Sequence, residues 1–268
     1  MDKHDYNYHG HTFLCGHATG TPIEYVKEAI KKNYKVLGIS EHAPMPNLRS
    51  KNSRLEIKNY DLYFELLKEA SDYALENDLT FYKAFEIEYF SHLDLYEKYL
   101  TDVDYLILGQ HYIIRDGKNK STFGLDDIED VRIYSKTVVE ALKTGYFNLL
   151  AHPDLCFFNI KNPTDEMYEL LRPIIKTAKE LDIPLEVNAN GIRRSLVEDN
   201  NKDINKVKYP KIKFFEMVKE ENAKVIISSD CHSVDALDDF AISEANKFVK
   251  ELGLDLVTRL KTNYYPAK

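Results

Sequence analysis

Basic density is missing from this 268-residue chain: the formal net charge is −8, and no stretch is crowded with Lys and Arg. Proteins that hold long nucleic acid by neutralising phosphates carry a basic stripe or patch, so the composition argues against a nucleic-acid partner. A small anion stays compatible if positive charge is local, for instance supplied by metal ions. Long apolar runs are missing as well. Nowhere do about 18 apolar residues follow one another, the length that marks a membrane-spanning helix. The opening "MDKHDYNYHG" lacks the apolar core of a signal peptide. Cysteine is scarce: Cys15, Cys156 and Cys231 are odd in number and far apart, which does not make a disulfide framework. These absences predict a cytoplasmic protein with no membrane partner. Internal repeats and low-complexity tracts are absent too. A composition of 44% hydrophobic and 30% charged residues is that of a globular protein able to bury a sizeable core.

Histidine, by contrast, is concentrated. "NYHGHTFLCGHAT", residues 7–19, holds three of the nine histidines, and histidine is the commonest metal-binding side chain. Whether this is one corner of a site or a chance cluster depends on where the others fall. Short apolar runs alternate with longer amphipathic ones along the full length. Strands are predicted near 5–10 and at "KVLGIS" (35–40), "TFYKAFEIEYF" (80–90), "DYLILGQHY" (104–112), "YFNLLAHP" (146–153), "PLEVNAN" (184–190) and "KVIISSD" (224–230). Each is short and rich in Val, Ile, Leu, Phe and Tyr, as buried parallel strands are. Helix-period segments lie between them at 21–33, 60–77, 126–145, 163–182, 210–222 and 234–253. The first opens with Thr21 as N-cap and Pro22 at the first helical position, and Pro173 should interrupt the fourth.

Strand–helix alternation repeated about seven times predicts an α/β fold of parallel strands joined by crossover helices. A single barrel domain over residues 1–268 fits the length; pattern alone leaves an open doubly wound sheet as the alternative. The polar segments 43–58 and 191–209 break the rhythm and read as long, functional loops.

On that map the histidines fall at strand ends. His9 and His11 close the first strand, His42 follows the second, His111 ends the fourth, His152 the fifth, and His232 follows the seventh. His17 lies in the first loop, Glu86 and Glu88 near the end of the third strand, and Asp230 closes the seventh. The carboxyl ends of barrel strands share one face, where active sites of this architecture are built. Positions i and i+2 of a strand point the same way, so His9/His11, Glu86/Glu88 and Asp230/His232 each offer two donors to one side. A lone strand-end histidine is ordinarily a hydrogen-bonded core or surface residue, the role assigned to His4 and His92. Cys15 and Cys231 read as small hydrophobes. Seven histidines are poorly explained one at a time. With Glu86 and Asp230 they form a donor set suited to Zn, Fe or Mn. That set is too rich for one ion and predicts two or three.

The motifs "HGH" at 9–11, His17, "EH" at 41–42, "FEIEY" at 85–89, "GQHY" at 109–112, "AHPD" at 151–154 and "SDCH" at 229–232 span almost the whole chain. In that order they resemble the polymerase and histidinol phosphatase (PHP) superfamily. "EHAP", "LEVNANGIRR" and "YP" at 209–210 resemble its histidinol-phosphatase branch. The resemblance implies a distorted (β/α)7, TIM-like barrel with its active site at the C-terminal ends of the strands and three divalent metal ions. Carried over, one ion would be held by His9, His11, Glu86 and Asp230. A second would share Glu86 and add His111 and His152, and the third would be held by His17, His42 and His232. Ala84 stands where the family usually has glycine, and Gln110 where it commonly has serine. Neither departure removes a ligand.

The activity so implied is hydrolysis of L-histidinol phosphate to L-histidinol and phosphate in histidine biosynthesis. Two ions would share a hydroxide that attacks phosphorus in line. Arg193 or Arg194, in "NGIRRS", is expected to fork onto the phosphate, and Asp230 or His232 to relay a proton to the departing alkoxide. Gln110, Glu88, Asp154 and Tyr112 are expected to contact the substrate. The alternatives are a PHP phosphatase or phosphodiesterase acting on a nucleotide or another small phosphoester, and a non-catalytic metal-binding domain, against which the complete ligand set counts.

Overall fold

Each of the seven apolar runs forms a strand, buried almost throughout because helices cover one side and the other turns into a barrel interior. The computed structural model describes residues 4–46, 48, 53–197 and 207–262. In chain order the strands are β1 (Tyr6–Asn7), β2 (Val36–His42), β3 (Thr80–Ile87), β4 (Tyr105–Leu108), β5 (Tyr112–Arg115), β6 (Lys118–Ser121), β7 (Leu149–Leu150), β8 (Leu185–Asn188), β9 (Lys224–Ser228) and β10 (Asp255–Leu256). Among the described residues eight of these form one parallel sheet, ordered β1-β2-β3-β4-β7-β8-β9-β10, while β5 and β6 make a separate antiparallel hairpin. The fold is α/β and TIM-like. It has one sheet strand more than the apolar pattern announces, because β10 is only two residues long and half polar.

The sheet curls until the end of β1 meets the end of β9. Gly10 bridges Cys231, the His11 amide donates to the Cys231 carbonyl at 2.9 Å, and the Ser229 amide donates to Asn7 Oδ1 at 2.8 Å.

Helix α1 (Pro22–Lys31) starts where expected, and Thr21 and Glu24 form a capping box worth about 1 kcal/mol. After α2 (Tyr60–Glu76), the short α3 (Tyr96–Asp102) is one the sequence does not announce, since seven residues display too little of a 3.6 period. Beyond α4 (Ile128–Lys143), segment 163–182 breaks into α5 (Asp165–Glu169) and α6 (Arg172–Glu180), with Pro173 in the first turn of the second. The expected loop 191–209 is corrected in its first part, where α7 (Ala189–Val197) forms. Asn190 and Gly191 weaken its helical propensity, yet Asn188 Oδ1 accepts the Gly191 amide and caps the first turn. Residues 198–206 of that segment, and 47 and 49–52 of segment 43–58, lie outside the described residues. Helices α8 (Ile212–Glu221) and α9 (Phe240–Leu252) complete the outer layer, and none among the described residues is long and apolar enough to cross a membrane.

Strand alternation sorts the side chains. One set packs outward against the helices in the larger core; the other fills the barrel interior with Tyr6, Tyr8, Tyr105, Ile107, Leu149 and Ile226 among others. The Tyr105 hydroxyl donates to the Tyr8 carbonyl and sits 1.9 Å from where a Cβ on residue 38 would project, so Gly38 is required beneath it. This tyrosine-rich floor closes the lower end. Two or four residues further along the same strand faces, Ala84 gives way to Glu86, Ile107 to His111, and Ile226 to Asp230.

Candidate metal centre

Five imidazoles surround one buried carboxylate. Glu86 Oε2 lies 2.8 Å from His42 Nδ1, 3.4 Å from His9 Nε2 and 3.5 Å from His11 Nε2; Glu86 Oε1 lies 2.9 Å from His152 Nε2 and 3.6 Å from His111 Nε2. A second carboxylate, Asp230 Oδ1, lies 3.2 Å from His11 Nε2, 3.6 Å from His9 Nε2 and 3.6 Å from His232 Nδ1. His17 reaches the same cluster from the first loop, with its Nε2 3.0 Å from His232 Nε2. All seven strand-end and loop histidines singled out in the sequence therefore converge, as do Glu86 and Asp230. His92 stays on the surface, and His4 is half-buried against the rings of Tyr6 and Tyr34.

Backbone geometry assists the convergence. His152 and Asp230 adopt positive φ, 29° and 47°, a left-handed conformation that costs a non-glycine residue of order 1–3 kcal/mol. Gly109 leaves room for the hub, since a Cβ there would lie 2.1 Å from Glu86 Oε1.

Three of the ring nitrogens facing away from the cluster lie close to carboxylates, while His152 Nδ1 is buried without a hydrogen-bond partner. His9 Nδ1 is 2.8 Å from Glu186 Oε1, His111 Nδ1 is 3.2 Å from Glu88 Oε1, and His11 Nδ1 is 3.4 Å from Glu41 Oε1. Glu186 also accepts the His152 amide and the Asn188 side-chain amide. Carboxylates behind imidazoles in this way orient metal-binding histidines and raise their basicity. Glu41 and Glu186 are absent from the residues singled out in the sequence. A signal for Glu186 exists: it is the acid within "LEVN", on the same strand face as Asn188, in an otherwise apolar run.

The charge balance of the cluster is uneven. Burial alone would depress His9 and His11, but the carboxylates of Glu186, Asp230, Glu86 and Glu41 raise His9 well above the usual range and push His11 up to about 9. Burial, and then the charge on His11, take His42 down to about 3 and His232 to about 4. Against the cost of their own burial, Glu86 and Asp230 are held ionised, well below the usual carboxylate range, by the surrounding imidazoles. Yet Glu86 Oε2 is fully buried and makes no well-formed hydrogen bond, although three imidazole nitrogens lie within 3.5 Å. His17 Nδ1 and His232 Nδ1 each face a backbone carbonyl, so their Nε2 atoms, 3.0 Å apart, turn lone pairs toward each other, while His9 and His11, 3.1 Å apart, crowd together two rings that the carboxylates hold protonated. A divalent cation among these atoms satisfies both features, and three donor triads have atoms within 4.8 Å of one another: His9/His11/Glu86, His42/Glu86/His111 and His11/His42/His232.

A cavity of about 390 Å³ opens above the cluster, with Tyr112, Phe123, Tyr209, Asn190, Arg54 and Arg194 among its walls. It separates the residues expected to meet substrate. Arg194 lines it, lying over the rings of Phe123 and Phe158 at 5.9 and 5.7 Å. Arg193 does not, which corrects its assignment to phosphate and to catalysis: its guanidinium is spent on Asp239 (2.6 Å), Ser229, Ala236 and Asn190. Gln110 is corrected likewise, because its side-chain amide clamps the backbone of Tyr89 and Tyr112. Asp154 is buried outside the cavity wall, accepts the Lys211 amide, and is pushed up to about 6 by burial. Tyr112 and Glu88 do line the cavity, though the Glu88 carboxylate is already paired with Arg54 and His111. Arg54 comes from an irregular segment, where no periodic pattern marks it.

Comparison with known proteins places this arrangement in context. A family model described as "PHP domain" matches residues 7–190. A "Probable histidinol-phosphatase" of Deinococcus radiodurans is 27% identical over 260 residues, covering 93% of this chain and 94% of that one. A "Probable phosphatase" of Acetivibrio thermocellus is 25% identical over 225 residues, covering 84% and 78%. Among solved structures, a histidinol phosphate phosphatase from Lactococcus lactis, complexed with zinc, L-histidinol and phosphate, matches with a TM-score of 0.68. That match covers 96% of this chain and 99% of the other at 16% identity, a likeness of fold.

Proposed function

The chain belongs to the PHP domain family, and from that premise we propose that it is a metal-dependent phosphomonoesterase whose substrate is L-histidinol phosphate. The observation that carries the reading is Glu86, a fully buried carboxylate ringed by five imidazoles within 3.6 Å. An apolar core has no use for such a group, whereas a cluster of divalent ions does. His9, His11, Glu86 and Asp230 would hold one ion, Glu86, His111 and His152 a second, and His17, His42 and His232 a third. Zn, Fe or Mn suits these donors. When bound, the ions supply acidified water and neutralise phosphoryl charge.

The remaining work falls to the chain. Asn188 and Asn190 donate side-chain amides to Asp230 Oδ2 at 3.0 and 3.4 Å, which keeps that carboxylate an acceptor. Asp230 therefore stays ionised and is unsuited to be the acid that protonates the departing alkoxide. Arg194 lies at the cavity wall to receive phosphate oxygens. Tyr112, Phe123 and Tyr209 put aromatic rings in the cavity wall, against which the imidazole carried by the histidinol leaving group can lie. The cavity has the volume of a small-ligand site, and the Deinococcus and Lactococcus proteins carry names that match this substrate.

Phosphate release from histidinol phosphate, nucleotide monophosphates and a phosphodiester, compared at equal concentration, tests the assignment. A kcat/KM preference of about 100-fold for histidinol phosphate, nearly 3 kcal/mol, is expected. A flat profile, or preference for the diester, would sink the substrate while leaving the metal site standing.

Glu186→Gln tests the supporting carboxylates. It keeps the acceptor for the His152 amide but weakens the pull on His9 Nδ1. Metal affinity should fall about 10- to 100-fold, read by competition with a chromophoric chelator. An unchanged affinity would remove Glu186 from the centre.

A further inference from the structure

Arg54 takes no part in the ligand set, yet its surroundings tie it to one member. Its Nη2 donates to Glu88 Oε1 at 2.9 Å and its Nη1 to Glu88 Oε2 at 3.2 Å, a two-pronged pair buried in the cavity wall. Nη1 also donates to the Ala43 carbonyl at 3.1 Å, and the Leu55 amide donates to the His42 carbonyl at 3.0 Å. This end of segment 43–58 is thereby docked onto the end of β2. Glu88 Oε1 is shared with His111 Nδ1 at 3.2 Å. On the ring face of His111 lies Phe123, nearly parallel at 9° and 6.0 Å between centroids. Phe123 fixes the plane of the imidazole, and Glu88 fixes its rotation within that plane, which sets His111 Nε2 3.6 Å from Glu86 Oε1.

We propose that Arg54 is a positioning residue of the metal centre, acting through Glu88 on His111. The inference rests on the metal reading given above. Without a fork on both oxygens, Glu88 would be a buried carboxylate two residues from Glu86 on the same strand face. It would be free to turn away from His111 or toward the ions that Glu86 holds. A guanidinium matches both carboxylate oxygens at once; an ammonium is a point charge and cannot. Lysine at position 54 should therefore restore the charge without restoring the orientation.

The test is Zn²⁺ titration of the metal-free protein against a competing chelator, alongside kcat and KM, in the wild type, Arg54→Ala, Arg54→Lys, Glu88→Gln and Arg54→Ala/Glu88→Gln. Arg54→Ala should weaken the uptake of part of the bound zinc about 10- to 100-fold, with a matching fall in kcat and little change in KM. Arg54→Lys should recover only part of this. The double variant should be no worse than the worse single one, because both break one chain of contacts. Additive losses, or a rise confined to KM, would mean that Arg54 meets the substrate directly and would overturn the proposal. So would wild-type zinc affinity in Arg54→Ala. If that variant fails to fold, Glu88→Gln carries the decision, since weakened zinc uptake supports the relay and unchanged uptake overturns it. A wild-type chain that takes up no divalent ion overturns the metal reading itself, an outcome distinct from all of these.

Discussion

Glu86→Gln is expected to abolish turnover, with kcat/KM falling at least about 10³-fold, about 4 kcal/mol of transition-state stabilisation. The substitution preserves shape and removes one charge. Glutamine would keep a single carbonyl oxygen for five imidazoles and would turn an amide N–H toward nitrogens that need an acceptor or a cation. Both oxygens of Glu86 face the cluster, Oε1 toward His152 and His111 and Oε2 toward His42, His9 and His11. In the proposed arrangement two ions would be affected by one change, and metal content measured after gel filtration should drop together with activity. A Glu86→Gln protein that keeps its metal and stays within about 10-fold of wild-type turnover would dismantle the centre as drawn.

Metal-free and metal-loaded protein should respond to pH in opposite directions. In the metal-free chain the carboxylates raise His9 and push His11 up to about 9. A histidine whose folded pKa is raised adds stability that is complete below its unfolded value of about 6.5 and is lost as pH climbs through the folded value. Glu86 and Asp230 are depressed instead. Their contribution is present above the ordinary carboxylate range and is lost only in acid, so it is constant here. Metal binding runs the other way, because imidazoles must shed protons to ligate. At an ion concentration of about 1,000 times Kd, binding adds roughly 4 kcal/mol, or roughly 8–16 °C in Tm for a chain of this size. The gap in Tm between loaded and chelated protein should therefore widen from about pH 6.5 to about pH 9. A gap that is constant or narrows over that range would show that His9 and His11 are not displaced from their protons by metal.

The site was legible in the sequence to the extent that it depends on strand ends. His42, Glu86, His111, His152 and Asp230 lie up to 188 residues apart, yet parallel strands in one curled sheet deliver their carboxyl ends to a single rim whatever the loops do. What depends on a neighbour remote in sequence was not legible. Arg193 and Arg194 are adjacent on α7 and chemically identical. Asp239, at the start of α9, claims the first and leaves the second at the cavity. Gln110 beside His111 looked like a substrate contact, but its burial forces the amide to satisfy the backbone of Tyr89 and Tyr112. Arg54 sits where neither a 3.6 nor a 2.0 period operates, and only the buried Glu88 opposite explains it. Helix α7 was hidden for a related reason: its capping acceptor is a strand residue, Asn188, read as part of a different element.

The meeting of β1 with the end of β9 has a consequence for how the protein is made. His232 follows His9 by 223 positions (232 − 9) and leaves the ribosome that much later. At about 5–20 residues per second, roughly 11–45 s of synthesis separate them. Throughout that interval the nascent chain carries imidazoles able to seize an ion but no geometry with which to choose one. Selection can begin only once the sheet has curled shut, after the last strands have emerged. By then affinity for first-row metals follows their general order, and the ion retained depends on which are supplied. On the metal reading proposed above, the resident ion would be decided by the cell's stock at the moment of completion as well as by the residues that hold it.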